Sequence, residues 1–64
     1  MFYYEEEMDR SLSKLIADTV RDLLSQYNLT VQEVIRMTIQ QLAIGATKAV
    51  IDKIVECYER YRKN

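Results

Sequence analysis

The sequence predicts an all-α fold, an antiparallel helical hairpin that pairs with a second copy into a homodimeric four-helix bundle, and three observations carry that prediction. The 64 residues contain no proline and one glycine, Gly45, so the usual breakers between elements are nearly absent. Apolar residues recur at three- and four-residue steps along almost the whole chain, the spacing that places them on one face of a helix. A chain of this size buries only about 60% of its unfolded surface, and small domains compensate with disulfides, metals or association. With a single cysteine and no histidine, association is the remedy left.

The first helix is expected over about residues 5–27. Met8, Leu12, Leu15, Ile16, Val20, Leu23, Leu24 and Tyr27 form its apolar face, with Asp18, Arg21, Asp22 and Gln26 on or beside the opposite one. A turn at residues 28–30 follows. Thr30 with Glu33 three residues later is a capping box, in which each side chain satisfies the other residue's free backbone N–H. Leu29 and Val34 bracket that cap as a hydrophobic staple. Asn28 tolerates a left-handed backbone and can close the first helix. So short a connection makes the two helices antiparallel neighbours.

The second helix is expected over about residues 31–62. Val31, Val34, Ile35, Thr38, Leu42, Ala46, Ala49, Val50, Ile54, Cys57 and Tyr61 carry its main apolar pattern, and Met37, Ile44, Ile51 and Tyr58 line a second stripe at seven-residue spacing. Residues 42–51 are apolar nearly all round, which one neighbouring helix cannot cover. The dimer interface is therefore placed on Ile35, Leu42, Ile44, Ala46, Ala49, Val50, Ile51 and Ile54. At 100° per residue the apolar faces before and after Gly45 differ by roughly 120°. One long helix that changes neighbours there, with Ala43, Gly45, Ala46 and Ala49 as a small-residue seam, is the reading adopted; a break at Gly45 giving three helices is the alternative.

The side chains exclude most chemistry. Without histidine the chain lacks the commonest general base and transition-metal ligand. The one-turn carboxylate pairs Asp18/Asp22 and Asp52/Glu56 fall on polar faces beside Arg21, Lys48 and Lys53, where a solvated charged surface explains them. Acids near the start of the first helix and Arg60, Arg62 and Lys63 near the end of the last complement the helix dipole. Cys57 lies on the apolar stripe, as a small core residue does. No phosphate loop or nucleophile turn is present. No catalytic, metal or cofactor site is assigned, and no cofactor is expected.

The run Phe2, Tyr3, Tyr4, Glu5, Glu6 and Glu7 is the candidate partner-binding patch, since aromatic anchors with a charged rim are typical of interfaces. The competing account is that its aromatics cap the open end of the bundle core, with Tyr58 and Tyr61 at that same end.

Asn28, Leu29 and Thr30, then Glu33, Val34, Ile35, Arg36, Ile39 and Leu42, resemble the turn and second helix of ribbon-helix-helix DNA-binding regulators, and residues 15–24 resemble the family's first helix. The resemblance covers about 30 residues. It implies intertwined dimerisation and, for DNA binding, an N-terminal strand entering the major groove. The equivalent stretch here, residues 3–9, carries Glu5, Glu6, Glu7 and Asp9, which repel phosphate. No DNA contact is carried over.

These readings converge on a small non-enzymatic adaptor or regulator that acts through protein–protein interaction and suits a virus- or plasmid-encoded gene. Its expected partners are a second copy of itself and a larger protein, with DNA binding as the alternative. The net charge of −1 provides no field toward nucleic acid or anionic lipid. No apolar run approaches the ~20 residues of a membrane span, and the opening acids are unlike a signal peptide. The expected location is the cytoplasm, where an unpaired cysteine is at home.

Overall fold

The computed structural model describes residues 9–62 and is all-helical over them, with three helices in the order α1 (Arg10–Gln26), α2 (Val31–Leu42) and α3 (Lys48–Tyr61). Asp9 precedes α1 as its cap residue without a side-chain hydrogen bond to the helix. The expected start near residue 5 lies outside the described residues.

α1 ends differently from expectation. Tyr27, in extended conformation, donates its N–H to the Leu23 carbonyl at 2.9 Å, and Asn28 is not left-handed. The following cap is as the sequence reads. The Glu33 N–H donates to Thr30 Oγ1 at 3.3 Å, and the Thr30 N–H donates to Glu33 Oε1 at 2.9 Å. Leu29 packs against the buried cluster to which Val34 belongs.

The single helix expected over residues 31–62 is instead two. The break begins two residues before the glycine, at Ala43, which sits at φ 54°, ψ 47°. Its N–H donates to the Gln40 carbonyl at 3.3 Å and the Ile44 N–H to the Ile39 carbonyl at 3.2 Å. This pair of bonds is a Schellman closure, and Ile44 and Ile39, both packed on the core, supply its accompanying apolar residues. Glycine normally occupies the left-handed position, because a Cβ there costs roughly 1–2 kcal/mol. Gly45 has no positive φ and uses none of that freedom. α3 then restarts at Thr47, whose Oγ1 accepts from the Val50 N–H at 3.2 Å.

The break lets α3 lie against α1, the most extensive of the three helix pairings. Ile16, Val20 and Leu24 of α1, Val34 of α2, and Val50, Ile54 and Cys57 of α3 form one buried cluster. Each large aliphatic in it contributes about 1.5–3 kcal/mol relative to exposure. Thr38 is also fully buried, and its Oγ1 has no hydrogen-bond partner.

Two substitutions test this account. Thr38→Val keeps the side-chain shape and removes a buried, unpaired hydroxyl, so stability should rise by about 1 kcal/mol; a loss on chemical denaturation would show that the hydroxyl is satisfied. Ala43→Gly should raise stability by about 0.5–1 kcal/mol, because the relief of left-handed strain exceeds the added entropy of the unfolded chain. A lower melting temperature for this variant would exclude the left-handed closure.

Candidate interaction surface

The C-terminal ends of α1 and α3 lie together. Arg21 of α1 places its guanidinium 6.0 Å from the centre of the Tyr61 ring and ties the two helices by cation–π attraction, and Arg60, beside Tyr61 on α3, lies at the same distance. Beyond this contact, a crevice of about 250 Å³ is lined by residues 24–29 together with Tyr58 and Arg62. Tyr27 stands on its rim and is 53% exposed. Its periodicity places it on the buried face of α1, but the helix stops at Gln26 and the extended backbone at Tyr27 turns the ring outward.

Tyr61 lies toward the C-terminal end of α1, and the expectation that Tyr58 and Tyr61 share an end with the chain's N-terminal aromatics rests on residues outside the described ones. Tyr61 meets α1 at Arg21, eleven residues beyond Arg10 and so about 16 Å along the helix from its start. The break at residues 43–47 adds one reversal of the chain, which moves the end of α3 to the opposite end of α1. Phe2, Tyr3, Tyr4, Glu5, Glu6 and Glu7 lie outside the described residues.

The residues expected at the dimer interface occupy several settings within the chain. Val50 and Ile54 are buried in the chain's own core. Ile35, Leu42 and Ile44 are half-buried against that core, Ala49 and Ile51 are half-buried on α3, and Ala46 is exposed in the linker. The change of direction at Ala43 directs the Val50 face of α3 toward α1. Leu15, expected in the core, is instead 51% exposed on α1.

The polar groups form ordinary surface pairs. Asp18 accepts from Lys14 and Arg21, Asp52 pairs with Lys48 at 2.9 Å, and Glu56 pairs with Lys53 and Arg60. Asp22 accepts from Gln26 at 3.0 Å. Pairs this exposed contribute roughly 0.3–0.5 kcal/mol each. Glu59 pairs with Arg62 at 3.4 Å. Among the described residues no group of three His, Cys, Asp or Glu side chains is placed to hold a metal ion, and no helix is long and apolar enough to cross a membrane.

Cys57 is fully buried, and burial pushes its thiol above the ordinary range, against the smaller opposing pull of Lys53 and Arg60. The folded chain therefore holds the thiol proton to higher pH than the unfolded chain does. Stability is complete below the ordinary thiol pKa and falls as pH rises from there toward the raised one. In denaturant titrations at rising alkaline pH, the native chain should lose more stability than Cys57→Ala does. Equal losses would place the thiol in contact with solvent.

Compared with known proteins, the chain matches no family model, no curated protein and no solved structure.

Proposed function

We propose that the chain is a small non-enzymatic adaptor or regulator that acts by binding other proteins and that associates with a second copy of itself. The observation that carries the reading is the aromatic and arginine-rich end where α1 and α3 meet: Tyr27 on the rim, Tyr58 in the crevice, and Arg62 beside them. Tyrosine and arginine are the side chains most enriched among residues that dominate binding energy at interfaces. The side chains available for chemistry point the same way. The one thiol is buried with its proton held, and the carboxylates are exposed and engaged in surface pairs.

Self-association is supported by the modest size of the core, which a 64-residue chain supplements most readily with a copy of itself. The form proposed is a four-helix bundle. The aromatic and acidic run Phe2 to Glu7 is proposed as a further contact for a larger protein partner. The reading places the chain in the cytoplasm and requires no cofactor.

Affinity capture of the tagged full chain from native lysate tests the reading. One protein should be recovered in near-stoichiometric amount, and Tyr27→Ala combined with Arg62→Ala should reduce its recovery at least tenfold while leaving helical circular dichroism unchanged, since two such anchors together are worth about 2 kcal/mol or more. Recovery of duplex DNA without a protein partner, with affinity falling steeply as salt rises, would favour the ribbon-helix-helix alternative and sink this one.

A further inference from the structure

The five residues between α2 and α3 combine strain with weak anchoring. Ala43 is held in the left-handed region, and it is the one non-glycine residue with positive φ among those described. Ala43, Gly45, Ala46 and Thr47 are exposed. A Cβ added at Gly45 would meet nothing within 4 Å, and within the linker only Ile44 packs against the core. No proline prevents residues 43–47 from becoming helical, and alanine, the best helix former, occurs twice. α3, by contrast, is held chiefly through Val50, Ile54 and Cys57, which are buried with Ile16 and Val20 of α1.

We infer that two copies of the chain associate by swapping α3, with residues 43–47 as the hinge that turns helical. When Ala43 relaxes to the right-handed conformation, α2 and α3 join into one helix over residues 31–61, about 46 Å long. α3 is then carried away from its own α1 and onto the α1 of the second copy. Val50, Ile54 and Cys57 meet the same residues that they meet within one chain, so the swap keeps the buried cluster and gives up only the packing of Ile44 beside Ile39. Each chain loses the Schellman closure and the Thr47 cap, and sheds the left-handed strain while gaining backbone hydrogen bonds through the linker. Short hinges under strain favour this route to a dimer.

Gly45 opposes the swap, because glycine is a poor residue in a helix interior. The opposition keeps the two forms close in free energy and makes their ratio depend on concentration. The swapped pair contains two copies of α1 and two long helices, a four-helix arrangement. The inference rests on the self-association proposed above and specifies its form.

Sedimentation equilibrium of the full chain across a wide concentration range, with NMR chemical shifts and amide exchange of the dimer, tests it. Ala43→Gly removes the strain that drives opening. It should weaken the dimer about 25-fold or more, about fivefold for each of two linkers. Ala43→Val places a β-branched residue where left-handed backbone is least tolerated and should strengthen the dimer. Amides of residues 43–47 should show helical shifts and slowed exchange in the dimer and neither in the monomer. A dimer with a non-helical linker, and with both variants associating as the native chain does, would overturn the swap and leave self-association standing. A chain that stays monomeric at every concentration, the Ala43→Val variant included, would overturn both.

Discussion

The left-handed closure of α2 is the constraint on which the remaining structure depends. Once Ala43 turns the chain, Ile44 folds back beside Ile39, the helix cannot continue, and Thr47 starts a new one. Only with that interruption do Val50, Ile54 and Cys57 reach Ile16 and Val20 of the same molecule. The Tyr61 contact with Arg21, and the crevice beyond it, follow from the same reversal.

Much of this was legible in the sequence, and the failures have physical causes. The all-helical class followed from periodicity, and the start of α2 followed from the reciprocal Thr30 and Glu33 bonds, a local signal that tertiary context does not need to supply. The 120° shift in the apolar face at Gly45 did register that something changes there. What it could not distinguish was a change of neighbours along one helix from a break, since both produce the same pattern. Glycine also misdirected the reading. The position that benefits from glycine is occupied by Ala43, and the position that has glycine does not require it. Propensity marks where a break is easy, and the Schellman bonds set where it happens.

The candidate surface was less legible than the fold. Tyr27 continues the buried period of α1, and only the termination of the helix one residue earlier brings it to the surface. Tyr58 and Arg62 became its neighbours through the α2–α3 break, so a misread helix carried a misplaced surface with it. By contrast, the carboxylates Asp18, Asp52 and Glu56 stand where the sequence put them, because one-turn pairing is decided within a single helix.

The dominance of the α1 and α3 pairing also bears on the order in which the chain folds. These two helices are the most distant elements along the sequence and yet share the largest interface. α1 and α2, joined by a short turn, can meet early with little loss of loop entropy. Their meeting leaves the cluster open, because Val50, Ile54 and Cys57 have still to arrive. Docking of α3 is thus both the longest loop closure and the event that buries most of the core. Such a topology suppresses stable partial structures, and the chain should fold as a single cooperative unit at a rate governed by its longest-range contact.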